Sequence, residues 1–510
     1  MFKRWQQHKR WRRYKHETTT APGSSTLSRV TVASGVQANT THVANVLASD
    51  DLVRRELPQA VVPCSLLYID NLVEEGSVYD FIISPLTSYQ PQKREKVTSE
   101  QFIARVEVSS IERHTHMDKV IEALLTGQVV LFLEGSFHAY TLAVAGGKKR
   151  NVEEPASQLV IHGPREGFVE VLAVNTALIR AKVRHPDVRV KKMTVGKVTR
   201  TKIAVVYMAH VVNRDVLSEV LRRLENVTAN KILDSGMLGE LIGERKYTPF
   251  PTIQSTERPD VAAADVSDGR VVIVVDGSPF ALIAPATFIS FFQAAEDYYE
   301  RFDLATFIRI IRVIAFAIAL GLPALYIAVT TFHQELIPTD LLISLLAQRE
   351  GVPFPAFLEA LLMETIFEIL REAGIRMPRP IGPAVSIVGA IVIGESAVRA
   401  GLVSSAIVIV VSLTAIASFI APYYSFGGTI RMLRFLLMVL AATAGLFGMA
   451  VFFVALLIHL CALQSMGQPY FAPIAPFDWL QQKDTLFRFP LRWSKTSLYK
   501  KLSNRAKSNR

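Results

Sequence analysis

Glu395 and Arg399 stand four residues apart in IVIGESAVRAGLV (Ile391–Val403), between the apolar runs Ile381–Ile393 and Leu402–Ala421. An ionisable side chain costs at least about 2.5–3.5 kcal/mol at the centre of a bilayer unless a partner or water relieves it, so such residues are candidates for function. On a helix these two share a face and can pair. At 100° per residue Val385, Val388 and Val392 fall on the same face, while Ser386, Ala390 and Ala397 make a small-residue stripe suited to close helix contact. A valine row therefore leads into a charged rung. One chemistry is a paired charge at the membrane surface, where the chain turns around Ala400-Gly401. The other is a conducting path, with the valines as a dewetting constriction and the charges as a ring at its mouth. The two are compatible.

Other reactive constellations are absent from the sequence. The eleven histidines are scattered, and none pairs with an acid or cysteine at metal-ligand spacing. His459, in the last apolar run, reads either as a packed or interfacial histidine or as a proton relay. Cys64 and Cys461 lie far apart in regions of different character and make neither a disulfide framework nor a metal site. There is no hydrolase elbow, HExxH or dinucleotide loop, and AGGKKR (Ala145–Arg150) lacks the GxxxxGK[ST] spacing of a phosphate loop. The expectation is a protein that is not an enzyme and takes no cofactor or metal.

The charge is localised. Residues 1–16 hold seven Lys or Arg and no acid; residues 478–510 hold nine against Asp478 and Asp484, so each end carries +7 of a chain total of +11. The rest is slightly acidic, which removes the case for a nucleic-acid-binding core. Basic ends of a membrane protein mark the cytoplasmic side and attract anionic lipid. No apolar h-region follows the basic start, so no signal peptide is expected.

Five segments follow from composition and periodicity. Residues 1–44 are the basic start and a Ser/Thr/Ala/Gly-rich flexible linker. Residues 45–150 form a first α/β subdomain, with a strand at CSLLYID (Cys64–Asp70), a helix at Asp118–Gly127 and a hairpin turning at Glu134-Gly135-Ser136. Residues 151–300 form a second, with strands in KIAVVYMAHVV and RVVIVVD and an amphipathic helix at Asn213–Val227. Residues 301–477 form a helical membrane domain, and 478–510 a basic cytoplasmic tail. The fold class is thus a two-part soluble α/β region followed by an α-helical multi-pass membrane domain.

Within the membrane domain Val313–Phe332 is long enough to cross, with Arg309 and Arg312 just before it and Pro323 inside. Phe357–Pro378 carries Glu359, Glu364, Glu368 and Glu372, too many acids for a lipid-facing span, and reads as an amphipathic helix at the interface or beneath the bundle. Ile381–Arg399, Leu402–Ala421 and Phe435–Leu463 complete the apolar segments. Basic clusters at both ends require an even number of crossings, and four fits, although a break at Gly445 or Gly448 would disturb that parity.

Several long strings resemble the A subunits of the GerA-type spore germination receptors: NVEEPASQLVIHGPREGFVEVLAVNTALIR (Asn151–Arg180), PFPTIQSTERPDVAAADVSDGRVVIVVDGSPFALIAPATF (Pro249–Phe288), LREAGIRMPRPIGPAVSIVGAIVIGESAVRAGLVS and MGQPYFAPIAPF. The resemblance covers about residues 45–480. It implies a multi-pass protein of the spore inner membrane, with its N-terminal domain and C-terminal tail on the cytoplasmic, spore-core side. It further implies a nutrient-sensing complex with a transporter-like B subunit and a lipoprotein C subunit, in which the A subunit forms an ion-conducting homo-oligomer. Accessory paralogues of the stage V sporulation AF type share these strings, and a secondary transporter acting alone is the third reading. The family loops contain Pro164, Arg165, Glu166 and Gly167, and Glu257, Arg258, Pro259 and Asp260. Opposite charges in Pro- or Gly-bounded loops fix loop geometry, contact a subunit or hold a ligand, and Asn175 and Arg180 are read the same way.

Overall fold

The computed structural model describes residues 30–89, 98–144, 154–155, 157–244, 247–377, 382–477 and 482–490. The basic start and residues 491–510 of the basic tail, and with them the expected contact with anionic lipid, lie outside the described residues, as do the side chains of Val385 and Val388. The chain packs as two compact units: residues 1–152, 171–193 and 204–210 in the first, and 153–170, 194–203 and 211–510 in the second.

The first unit is built on an antiparallel sheet in the order β1-β2-β4-β5-β3, made by Leu52–Leu57, Cys64–Ile69, Ser110–His114, Val129–Leu133 and Ala139–Ala143 (β1 to β5). Its central strands are apolar on both faces because both are covered. Leu66, Leu131, Tyr140 and Leu142 pack with Ile82 and Phe102 on one side; Leu67, Val130, Phe132 and Ala139 pack with Val43, Val120 and Leu124 on the other. The second cover comes from helix α1, Val36–Leu47, and helix α2, Met117–Leu125. Helix α1 corrects the expectation of a flexible linker through residue 44. Its polar composition hides a stripe four residues apart, Val43 and Leu47, that the sheet buries. Helix α3, Leu172–Lys182, carries Arg180, which donates from Nε to Asp51 Oδ2 (2.8 Å) and from Nη2 to Asp51 Oδ1 (2.9 Å) and Ser49 Oγ (2.8 Å). This buried fork fixes α3 to the entry of β1.

A second five-stranded sheet has the order β6-β7-β9-β10-β8, from Val188–Val195, Thr201–Met208, Gln254–Thr256, Val271–Val275 and Ala281–Ala284 (β6 to β10). Helices α4 (Arg214–Glu225) and α5 (Ser235–Ile242) open on Asn213 and Asp234, each accepting a backbone N–H as a cap. Helix α6, Pro259–Ser267, begins with proline at its first position, where the missing N–H costs nothing.

Six helices follow: α7 (Phe302–Thr331), α8 (Thr339–Arg349), α9 (Ala356–Arg376), α10 (Gly382–Arg399), α11 (Ser405–Ser418) and α12 (Tyr424–Ala462). Among the described residues α7 and α12 are long and apolar enough to cross a membrane, and α11 is a shorter apolar helix. Helix α12 is broken at Gly445, whose φ of 58° and ψ of −141° leave the helical region. The bend is sharp: a Cβ placed on Gly448 would lie 2.4 Å from the carbonyl oxygen of Leu440. Eight residues of straight helix would put about 12 Å between those levels.

Candidate functional site

The family loops meet in one clasp in the second unit. Arg258 is 2% exposed and reaches in three directions. Its Nε and Nη2 hold Asp260 at 3.1 and 2.7 Å, its Nη1 donates to the carbonyl of Gln158 (3.2 Å), and Nη2 also donates to the carbonyl of Pro164 (3.0 Å). Glu257 accepts the backbone N–H of Ser157 (3.0 Å), and its carbonyl accepts that of Phe168 (2.7 Å). Tyr299 donates its hydroxyl to Asp260, and burial together with this carboxylate pushes the phenol above its ordinary range. Pro164, Gly167, Glu257, Arg258, Pro259 and Asp260 are thereby brought together, whereas Arg165 and Glu166 point outward. Arg165 Nε stands 3.6 Å from Glu154. The donors of Arg258 and the oxygens of Asp260 are all engaged within the chain, so the clasp pins the 157–168 segment against the start of α6.

The same unit joins the segments that flank β8 and β10 to its helices through one continuous core. Phe250, Phe288, Phe291, Phe292, Phe426 and Tyr470 stack edge and face at centroid distances of 5.2–6.4 Å. Through it runs a buried polar chain. Arg270 lies 3.2 Å from Asp265 and donates to Gln254 Oε1 (3.3 Å), and Gln254 donates to the hydroxyl of Tyr423 (2.7 Å), the residue that opens α12. Burial raises the Asp265 carboxyl, and Arg270 pulls it back. At the start of α7, Asp297 receives Arg309 Nε (2.7 Å) and Arg312 Nη1 (2.7 Å), while Arg309 also bonds Asp484 (2.8 Å) of the C-terminal segment. The two arginines expected to flank a membrane span are thus buried and paired.

Contacts order the helices by direction. The sheet end is marked by Arg312 of α7 on the carbonyl of Phe292, and by Tyr423 and Thr429 of α12 on Gln254 and the carbonyl of Pro249. The opposite end is marked by the end of α7, where a Cβ on Gly445 would lie 2.8 Å from His333 and 3.0 Å from Phe332. Glu359 accepts the N–H of Ser404 (2.9 Å), and Ser404 also touches Tyr326, so α9 and α11 both begin at that opposite end. Helix α9 ends near the sheet: Phe367 packs on Phe419, and Ala421 and Pro422 line a crevice with Phe291 and Arg312. Helix α10 runs the other way, with Gly389 against Leu370 and Gly401 against Gly351. After Gly445 the second half of α12 returns, and His459 Nε2 lies 2.8 Å from Thr248 Oγ1. Phe250 packs on both Phe426 and His459, so α12 is a helical hairpin whose two ends flank one phenylalanine.

One expectation changes, and one alternative that the sequence left open, a break at Gly445 or Gly448, is decided. The acid-bearing helix does not lie beneath the others but runs between the two ends as α9, because its carboxylates meet arginines from other helices. The final apolar run is two helices of opposite direction, because Gly445 and Gly448 let the chain fold back. On α10, Glu395 and Arg399 pair with each other at 58% and 79% side-chain exposure, and Val392 is exposed beside them.

The sequence profile described as "Bacillus/Clostridium GerA spore germination protein" matches residues 40–498. The chain belongs to the GerA spore germination family. Among its relatives, spore germination protein KA of Bacillus subtilis is 44% identical over 87% of this chain and 82% of its own length. Spore germination protein A1 of the same organism is 40% identical over 87% and 91%. Spore germination protein GerLA of Bacillus cereus is 37% identical over 86% and 90%. Of solved structures, the N-terminal domain of the A subunit of the Bacillus megaterium spore germinant receptor GerK3 aligns with 51% of this chain and 98% of its own, at 25% identity and a TM-score of 0.39.

In this GerA-family chain the residues that sequence reasoning missed are Arg270, Asp297, Tyr423 and Arg434. Each is polar and has at least one partner outside its own helix or strand, and no spacing rule reaches across 169 residues from Gln254 to Tyr423. The acids of α9 were visible as a surplus of charge; that Arg434, beside Arg431 at the edge of the last apolar run, would be their partner was not.

Proposed function

We propose that the chain is a membrane subunit of a spore germinant receptor that acts non-enzymatically, assembling with copies of itself into an ion-conducting oligomer that triggers germination. The observation that carries this is the exposed Glu395–Arg399 pair with Val392 on α10. An ion pair facing hydrocarbon is costly, so this face belongs against water or another subunit. The valine row of the same helix then supplies the constriction, and rotation or displacement of α10 in each copy opens it. The relatives named as spore germination proteins support a role in germination, and in this reading the chain stands beside a transporter-like B subunit and a lipoprotein C subunit in the spore inner membrane.

In this reading α7, α9, α10, α11 and the two halves of α12 cross the membrane six times in alternating direction, with the sheet end on the spore-core side. Six preserves the even parity that the basic ends require. The polar chain from Asp265 through Arg270 and Gln254 to Tyr423 links the α/β region to the helix hairpin and is the route by which a change in one reaches the other.

The test is Val388→Ala with Val392→Ala in spores lacking the native copy, scored by ion release without nutrient. Premature release with normal assembly is expected. Wild-type retention in both variants, at normal protein level, removes α10 as the gate.

A further inference from the structure

Helices α9 and α12 enclose charged groups that the α10 reading does not use. Glu364 is 0% exposed, and neither of its carboxylate oxygens receives a hydrogen bond. Arg434, 1% exposed, sits with Nη2 3.2 Å from Glu364 and 3.2 Å from Glu368, but its Nε and Nη1 have no partner. Toward the sheet end Arg431 lies 3.7 Å from Glu368, and Arg371, paired with the same carboxylate, leaves its Nε free. Toward the opposite end Glu359, also 0% exposed, lies 3.3 Å from Arg349, yet the facing atoms make no hydrogen bond.

Seven buried donors and acceptors in this one stretch therefore lack a hydrogen bond, although some face an opposite charge: Glu359 Oε1, both oxygens of Glu364, and nitrogens of Arg349, Arg371 and Arg434. Leaving each dry costs about 1–3 kcal/mol, and more for charged groups, a total that a folded domain does not carry. Polar sites of this kind hold water. From Glu359 to Glu368 the groups extend about 14 Å along α9, close to half of a bilayer core.

We propose that α9 and the first half of α12 hold a water-filled charged site within each subunit, separate from the exposed face of α10. The occupant is water rather than a bound cation, because Glu359, Glu364 and Glu368 face Arg349, Arg371, Arg431 and Arg434, an excess of one positive charge. The site gives the Arg434 guanidinium a solvated track between carboxylates one helical turn apart. Helix α12 can therefore shift against α9 without stripping a charge bare.

The site does not depend on α10 lining a path, and its test reads no ion flow. Ala360 is fully buried and lies four residues before Glu364 on the charged face of α9, while Leu362, at the same depth, is 36% exposed on the opposite face. Each is changed to Cys in the full chain in membranes, in a Cys461→Ser background, and alkylated with iodoacetamide. That reagent needs the thiolate, which forms only where water reaches, so Ala360→Cys should react at least about tenfold faster than Leu362→Cys despite its burial. Met363→Cys, buried on the same side, should follow Ala360→Cys and replaces it if that variant does not accumulate. Equal rates, or a faster Leu362→Cys, mean the site is dry and overturn the proposal.

Discussion

Arg258 and Arg434 are both buried guanidiniums facing carboxylates, and they are built in opposite ways. Arg258 forks onto Asp260, spends its remaining donors on two backbone carbonyls, and draws Tyr299 onto the same carboxylate. Arg434 is divided between two glutamates at 3.2 Å and leaves two nitrogens unpaired. A closed network in a low-dielectric interior rigidifies, because any displacement leaves a charge unpaired. An open network tolerates displacement, because water is already a partner. The clasp is therefore built to hold its shape, and in the proposed reading the open rung is what lets α12 shift against α9.

Three substitutions break or sharpen this contrast. Arg258→Ala should be the most damaging, at about 3–5 kcal/mol, because it strands the buried Asp260 and frees the 157–168 segment. It would be read as a large fall in thermal midpoint and as new protease sensitivity in that segment; an unchanged midpoint would mean the clasp is ornamental. Arg434→Gln should cost only about 1–2 kcal/mol, since a hydrated Glu364 keeps solvent when its partner leaves. If it is as damaging as Arg258→Ala, the two sites are alike and the helical interior is dry. Glu395→Gln should change the midpoint by no more than about 0.5 kcal/mol equivalent, because an exposed i,i+4 pair adds little to stability. Its effect should appear in ion release instead, and an effect on stability alone would make the pair a structural one.

Much of the α/β part of the chain was legible because its signals are local. The strand at Cys64–Ile69, the hairpin with Gly135 at φ 82° and the Asn213 cap each depend on residues close in the chain. The helix in the expected linker was not legible, since its Thr and Asn residues, of which Asn39 and Thr40 are themselves buried, outweigh Val43 and Leu47 in composition. The apolar runs announced themselves by length, and the glycines marked where the last run could break; that the chain turns back there was not legible, because glycine in an apolar run is equally at home in a close-packed straight helix.

The sequence by itself determined the two-part character of the chain, the absence of enzyme and metal motifs, the charged rung on α10 and the family, because composition, periodicity and long strings need no third dimension. Tertiary structure alone decided that the loop charges close on one another, that Tyr423 answers to Gln254, and that Arg434 meets Glu364 and Glu368. It also decided that α12 is a hairpin. These depend on which side chains face each other across helices and sheets far apart in the chain, and burial rather than spacing sets how much each charge matters.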